Sequence, residues 1–150
     1  MTTAIPAKLG LGDAVAAIIC VHDGRYLLQQ RDDIEGIWYP GHWGCFGGGV
    51  DAGETPAEAL ERELREELDL VATDAVPACS LDFDLADLGK RQYFRRYYEV
   101  KIHADVLDSL VLGEGTAVAA FSPDYMFREL KLTPYDSFAL YLHHNRAVLR

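Results

Sequence analysis

The stretch that decides the fold covers residues 48–70 and reads GGVDAGETPAEALERELREELDL. It places glycines, which we predict to form a turn, immediately before a helix crowded with glutamates. Glu63, Glu66 and Glu67 are three and four residues apart, so a helix brings their carboxylates to one side. Like charges held this close repel each other unless a positive charge lies among them. Hard oxygen ligands suit Mg²⁺ or Mn²⁺, which usually bridge to substrate phosphates, so the stretch predicts metal-assisted phosphate chemistry.

The start of this helix is strongly marked in the sequence. Thr55 is predicted to be the N-cap, Pro56 the first helical residue and Glu58 the third, and this combination is a capping box. An apolar stripe for packing on a sheet is formed by Leu60, Leu64 and Leu68. Because each residue turns the helix by about 100°, Glu67 is the glutamate nearest to this stripe. We therefore expect the carboxylates to lie along the margin of the core.

Predicted strands flank this helix on both sides in the chain. Residues 13–22 and 25–30 are predicted to form a hairpin around Asp23-Gly24, followed by a loop at 32–42. Further strands are predicted in residues 43–46, 71–85, 92–103 and 110–121, and helices from Ser122 and from Thr133 to about residue 147. This order indicates an α+β fold in which a mixed β-sheet lies between helices, with a single domain over residues 1–150.

Composition excludes several classes of protein. The chain has 150 residues, of which 49% are hydrophobic, as expected for one globular domain. The formal net charge of −10 argues against binding to duplex nucleic acid, which needs a basic face. The longest apolar run, residues 14–21, is too short to span a membrane, and no secretory signal is visible at the N-terminus. We therefore expect a cytoplasmic location.

Cysteines and histidines give no sign of a metal site in the sequence. Cys20, Cys45 and Cys79 are odd in number and lack CxxC spacing, so reduced and mostly buried thiols are expected. The five histidines show no zinc-ligand spacing, and His143 and His144 are predicted to lie on an exposed helix end.

The fixed spacing of residues within 48–70 is specific enough to indicate a protein family. Five residues separate Gly48 from Glu54, and seven separate Glu54 from the pair Arg62-Glu63. The pattern continues with Leu64, Glu66, Glu67 and Leu70. It resembles the signature of the Nudix hydrolases, the Nudix box, and departs from it where Asp69 replaces the second glycine. Because a left-handed residue is common at a helix end, we expect slight strain at Asp69 and no loss of activity.

The resemblance implies a Nudix fold, in which a mixed β-sheet lies between helices. It also implies Mg²⁺- or Mn²⁺-dependent hydrolysis of a nucleoside diphosphate linked to another moiety. The metal ligands it implies are the carboxylates of Glu63, Glu66 and Glu67 and the carbonyl of Gly47. Glu54 would support this site, and Arg62 would orient the glutamates, with Glu66 one turn away. The general base would be either a box glutamate or Glu114 on a later loop.

Candidate substrate-binding residues lie outside the box. Arg31, at the end of the second strand, is a candidate phosphate ligand, with an ion pair to a neighbouring aspartate as the alternative. Trp38 and Tyr39 would either stack on a base or pack on the sheet. Arg95 and Arg96 point to opposite faces of one strand, so at most one of them lines the site.

Three hypotheses about function remain. The leading one is a pyrophosphohydrolase that acts on a nucleoside triphosphate or a nucleotide sugar. The second is a Nudix-fold sensor that binds a nucleotide without cleaving it, and the third is an isoprenoid-diphosphate isomerase that uses Cys45. The intact set of glutamates favours hydrolysis. The expected partner is a small nucleotide, with no duplex nucleic acid and no membrane, and a homodimer is left open.

Overall fold

The computed structural model describes residues 14–84, 86–89, 93–113 and 115–149. Within these residues the chain contains seven strands and three α-helices. The strands are β1 (Ala14–Val21), β2 (Tyr26–Gln30), β3 (Trp43–Gly44), β4 (Phe46–Gly49), β5 (Val76–Phe83), β6 (Tyr93–Ile102) and β7 (Ala117–Phe121). The helices are α1 (Pro56–Leu68), α2 (Pro123–Glu129) and α3 (Pro134–His144).

The seven strands form one mixed sheet with β1 at its centre. β1 pairs in parallel with β6 along its whole length, from Ala14 opposite Arg95 to Val21 opposite Ile102. On its other side, β1 pairs antiparallel with β4 in its first half and with β2 in its second half. β5 adds to β6, while β3 and β7 add to β2. The predicted α+β class and the hairpin of β1 and β2 are confirmed.

Helices cover both faces of the sheet because the side chains of β1 alternate between two cores. Val15, Ala17 and Ile19 pack in a core that includes the leucines of α1. Ala16 and Ile18 face the opposite way and pack with residues of α2 and α3. A strand buried on both faces must be apolar throughout, which explains the uninterrupted apolar run in the sequence. In the described part of the chain, no helix is long and apolar enough to cross a membrane.

The prediction of a turn at the glycines before α1 is wrong, because these glycines lie in strand β4. Gly47 pairs with Ala16, and Gly48 pairs with Val15. Gly47 has a φ of +150°, and a Cβ there would lie 2.1 Å from the carbonyl oxygen of Val15. Glycine is therefore required here for the close approach of β4 to β1, and the chain turns later, between β4 and α1.

The prediction that His143 lies on an exposed helix end is also wrong. α3 ends at His144, a little earlier than expected, and His143 is 6% exposed. It continues the buried face of α3 that includes Ala139. Its ring packs edge-on against Tyr26, and its Nε2 lies 2.5 Å from Oε2 of Glu99. The side chain therefore belongs to the contact between α3 and the sheet.

Candidate active site

Both ends of α1 are fixed by hydrogen bonds between residues close in sequence. The hydroxyl of Thr55 accepts from the N–H of Glu58 at 3.2 Å, and the carboxylate of Glu58 accepts from the N–H of Thr55 at 2.7 Å. These two bonds confirm the capping box. Asp69 ends the helix in the left-handed region, with φ 52° and ψ 32°, and its N–H donates to the carbonyl oxygen of Arg65. The helical register of the glutamates is thus set locally.

Arg62 lies at the centre of the acidic cluster. Its Nε donates to Glu54 at 2.6 Å, and its Nη1 donates to Glu63 at 2.8 Å and to Glu66 at 3.3 Å. Its Nη2 donates to the carbonyl oxygen of Gly49 at 3.0 Å, which ties α1 to β4. The hydrogen bond from Arg62 lowers the pKa of Glu54, and the bonds to Glu54 and Glu63 raise the pKa of Arg62. One guanidinium thereby orients carboxylates from the loop and from the helix.

Glu67 differs from the other box glutamates in being buried. It is 4% exposed, and its Oε2 accepts from the N–H of Gly47 at 2.9 Å. By contrast, the side chain of Glu66 is 59% exposed. Glu63 packs against Gly48, where a Cβ would fall 2.4 Å from its Oε1. Glu63 therefore reaches strand β4 at a position where a side chain would obstruct it, and Glu67 reaches the same strand through the N–H of Gly47.

The chemistry of these side chains suits a hard divalent cation. Carboxylate oxygens are the ligands that Mg²⁺ and Mn²⁺ prefer, and three of them lie along one side of α1. Gly48 of β4 leaves room for the carboxylate of Glu63. The residues that would hold the cation are Glu63, Glu66 and Glu67. The donor set therefore fits the cofactor that the box implies.

A cleft opens beside Glu67 and extends to the loop after β2. It consists of two adjoining cavities of about 570 and 560 Å³. Both cavities are lined by Arg31, Ile37, Gly47 and Arg95. The first also contacts Gln29, Cys45 and Glu67, and the second also contacts Gly48, Trp38 and Tyr135. Two arginines thus lie between an acidic end and an aromatic end of one cleft.

The loop at residues 31–42 places its three candidate side chains differently. Nε of Arg31 donates to the carbonyl oxygen of Trp38 at 2.7 Å, so this arginine fixes the loop while it lines the cleft. Trp38 lines the second cavity. Tyr39 has a positive φ of 49°, and its ring packs edge-on against Tyr135 with 5.9 Å between centroids. Arg31 and Trp38 therefore border the cleft, whereas Tyr39 contacts one of its wall residues.

Arg95 is a cleft residue that the sequence did not single out. It is 7% exposed and lines both cavities. Its guanidinium lies 5.3 Å from the ring centroid of Tyr135, and its Nε lies 3.8 Å from Oδ1 of Asp136. Strand alternation limits the cleft to one of Arg95 and Arg96 but does not say which one. The structure assigns that place to Arg95.

Asp136 is a buried tertiary anchor, although its position at the start of a helix predicts only a favourable charge there. It is 2% exposed. It accepts from the N–H of Cys45 at 3.0 Å and from the hydroxyls of Tyr97 at 2.8 Å and Thr133 at 2.9 Å. Gly44 permits this approach, because a Cβ there would lie 2.5 Å from Oδ2. A buried carboxylate needs such donors, and here they join α3 to the sheet.

Two further candidates have different outcomes. Glu114 lies outside the described residues, so its role as general base stays a prediction; its neighbours Gly113 and Gly115 line the first cavity. Cys45 is 3% exposed, and its burial raises the pKa of the thiol well above its ordinary value. A thiol that keeps its proton is poorly reactive, which disfavours the isomerase hypothesis.

Comparison with known proteins points to one family. A family model of the NUDIX domain matches residues 10–145. Nucleoside triphosphatase NudI of Escherichia coli O139:H28 is 48% identical over 58 residues, which cover 37% of this chain and only 40% of that protein. The solution structure of the E. coli ORF135 protein has a TM-score of 0.71 at 31% identity, covering 91% of both chains. The MutT protein of Methanosarcina mazei Go1 is similar in fold, with a TM-score of 0.74 at 20% identity over 89% of this chain and 93% of that one.

Proposed function

The chain belongs to the Nudix hydrolase family, and from this premise we propose that it is a Mg²⁺- or Mn²⁺-dependent pyrophosphohydrolase of nucleoside triphosphates. The family accounts for hydrolysis of a phosphoanhydride bond, whereas the metal and the substrate are the proposed parts. One observation carries the proposal. The acidic side of α1, oriented by Arg62, meets a cleft at Glu67, and two arginines line the same cleft.

The proposed roles of the box residues follow from their contacts. Glu63, Glu66 and Glu67, with the carbonyl of Gly47, would hold the cation. Bound there, a divalent cation supplies charge neutralisation for a diphosphate and lowers the pKa of an attacking water. Arg62 keeps Glu63 and Glu66 in place, and Glu54 in turn holds Arg62. The proton acceptor in this proposal is Glu67, because it is the box glutamate that lines the cleft.

The other residues of the cleft support a nucleoside triphosphate as substrate. Arg31 and Arg95 offer planar, permanently charged donors that match phosphate oxygens. Trp38 and Tyr135 offer aromatic surface on which a base would stack. The similar protein NudI is a nucleoside triphosphatase, which favours a triphosphate over a nucleotide sugar.

A substrate panel tests this proposal. Ribo- and deoxyribonucleoside triphosphates, nucleotide sugars and dinucleoside polyphosphates are incubated with the protein in saturating Mg²⁺, and the products are separated by chromatography. We expect a triphosphate to yield its mononucleotide and pyrophosphate. Cleavage of nucleotide sugars with no cleavage of triphosphates would overturn the substrate class. If nothing turns over but one compound raises the melting temperature, the protein is a nucleotide sensor instead.

A further inference from the structure

A second group of ligand-type side chains lies at the opposite end of β1 from the box. Cys20 is on β1, Glu99 is on β6 and His143 is near the end of α3. One donor atom from each lies within 4.8 Å of the other two, and the described residues contain no other such group of His, Cys, Asp or Glu. None of the three lines either cavity of the active-site cleft. Three elements that are distant in sequence therefore converge on one point.

The distance between sulfur and nitrogen in this group is close to that around a tetrahedral metal, whereas the distance between nitrogen and oxygen is shorter. Sγ of Cys20 lies 3.9 Å from Nε2 of His143. Zinc–ligand bonds of about 2.3 Å to sulfur and about 2.0 Å to nitrogen would place these two atoms about 3.6 Å apart. Oε2 of Glu99 lies 2.5 Å from the same nitrogen and would withdraw by about 0.8 Å to share a cation. A small rotation of its side chain, which is 18% exposed, is sufficient.

His143 is oriented as a metal ligand would be. The hydroxyl of Tyr26 lies 2.8 Å from its Nδ1. When the Nδ1–H donates to that hydroxyl, the lone pair of Nε2 points toward Cys20 and Glu99. Metal-binding histidines usually have their second nitrogen held by an oxygen in this way.

The charges of the group balance a divalent cation. Glu99 supplies one negative charge, and Cys20 supplies the second when its thiol is deprotonated. Nζ of Lys101 lies 3.3 Å from Glu99 and Nη2 of Arg146 lies 3.9 Å from it, but these side chains are 63% and 55% exposed. Exposed ion pairs contribute little, so Lys101 is free to turn toward solvent, whereas Nη1 of Arg146 also donates to the carbonyl oxygen of His143 at 2.7 Å. Burial raises the pKa of Cys20 to about 11, so without a metal the thiol keeps its proton.

The group is also accessible. Cys20, Tyr26 and His143 line a groove of about 490 Å³ on this side of the molecule. The groove gives a cation a path of entry and gives a water molecule space to act as fourth ligand, as in open zinc sites. A thiolate and an imidazole select zinc-like metals over Mg²⁺. The ligand chemistry therefore differs from that of the box.

We propose that Cys20, Glu99 and His143 bind one divalent cation of the zinc class, which holds the end of α3 against β1 and β6. Binding replaces the proton of the Cys20 thiol by the metal and releases that proton to solvent, with no change of oxidation state. The site is separate from the box and does not depend on the proposed function. The metal-free alternative is a chain of hydrogen bonds that links Tyr26, His143 and Glu99.

Cobalt(II) is the probe for this site, because a thiolate ligand gives it a charge-transfer absorption in the near ultraviolet that carboxylates do not give. The protein is freed of metal with a chelator, supplied with excess Mg²⁺ to occupy the box, and titrated with Co²⁺. We expect an absorption band that saturates at one equivalent and disappears when Zn²⁺ is added. Absence of the band in the wild-type protein overturns the proposal.

Matched variants show which residues give rise to the absorption band. Cys20→Ser is expected to abolish it, whereas Cys79→Ser, which alters the other half-buried free thiol, is expected to keep it. Glu67→Gln is expected to keep it as well, so failure of the active-site proposal would leave this result unchanged. Glu99→Gln, which retains the thiol and the imidazole, is expected to weaken Co²⁺ binding at least about tenfold. A band that persists in Cys20→Ser, or unchanged affinity in Glu99→Gln, leaves the hydrogen-bond chain as the explanation.

Discussion

The two ends of the candidate active-site cleft are built in opposite ways. The box end comprises Glu54, Arg62, Glu63, Glu66 and Glu67, and the arginine end comprises Arg31, Trp38, Arg95 and Tyr135. At the box end, the side chain of Arg62 is 27% exposed and contacts glutamates of its own helix and the preceding loop. At the arginine end, the side chain of Arg95 is 8% exposed and contacts residues of a different element. One end is acidic and local in sequence, and the other is basic, aromatic and assembled from distant segments.

This difference suggests that the two ends have separate tasks. The box end places several carboxylates around one arginine, and the side chain of Glu66 is open to solvent, so a cation can enter and leave there. A buried arginine held by a carboxylate and an aromatic ring is already ordered, so less entropy is lost when it binds an anion. Changes at the box end should therefore reduce the rate of the chemical step. Changes at the arginine end should reduce substrate affinity instead.

The largest effect is expected from Glu67→Gln. It removes the buried charge that faces the cleft and should lower kcat by about 10²- to 10⁴-fold, the range typical of a lost catalytic carboxylate. Steady-state kinetics with the best substrate of the panel measure this. Glu61→Gln is the control, since Glu61 lies on the same helix with an exposed side chain paired only to Arg65 in the described contacts. Equal turnover in the two variants would remove Glu67 from the mechanism.

Asp136→Asn tests the support of the arginine end. The amide NH₂ would face the N–H and hydroxyl donors that now bond to the carboxylate. The free energy of unfolding should therefore fall by about 2–4 kcal/mol. Urea unfolding measures the loss. Asp124→Asn is the matched control, because Asp124 is also in the first turn of its helix but is 75% exposed and pairs only with Arg128 among the contacts described; it should cost less than about 0.5 kcal/mol. Similar losses for both would show that Asp136 is no anchor.

Arg95→Met separates binding from chemistry at the arginine end. A lost charged hydrogen bond to substrate is worth about 1.5–3 kcal/mol, so KM should rise about 10- to 100-fold while kcat changes much less. Arg96→Met, on the opposite face of the same strand, should leave KM unchanged. Melting temperatures establish that both variants are folded. If Arg95→Met lowers kcat and leaves KM constant, Arg95 acts in the chemical step, as proposed for the box end, and not in substrate binding.

Asp69→Gly should have the smallest effect. Asp69 occupies the left-handed region, where glycine has no steric penalty, so the replacement should stabilise the fold by about 0.5–1 kcal/mol. Asp69→Ala should have the opposite sign, because alanine tolerates this conformation less well than aspartate. Urea unfolding distinguishes the two. Kinetics should be unchanged in both, and loss of activity in Asp69→Gly would mean that the departure from the box has a functional purpose.

The same contrast explains what the sequence could predict. The helix, its capping box and the grouping of Glu63, Glu66 and Glu67 depend on residues within one turn or two of each other, so spacing alone reveals them. The contact of Arg95 with Asp136 joins β6 to α3, and local patterns contain no information about it. Asp136 is an example. An aspartate is common at the start of a helix, so the sequence gives no reason to expect that it also contacts distant residues.

The wrong predictions have a related cause. Glycine runs usually indicate turns. Here Gly47 permits the close approach of β4 to β1, and Gly48 leaves room for Glu63, which only the packed structure reveals. The polar residues around His143 predict an exposed helix end there. Its pairing with Glu99 and Cys20 depends on strands more than forty residues away. Local patterns therefore identify the box end and point to Arg31 and Trp38, but they miss the contact of Arg95 with Asp136 and the second group of ligands.

Metal dependence tests the central claim most directly, because the proposed role of the box end requires a bound cation. Hydrolysis of the substrate found in the panel is measured after treatment with EDTA, and again after Mg²⁺ is added in excess with no zinc present. We expect turnover to fall below detection in EDTA and to return with Mg²⁺ alone. A rate that EDTA leaves unchanged would contradict cation-assisted hydrolysis at the box end.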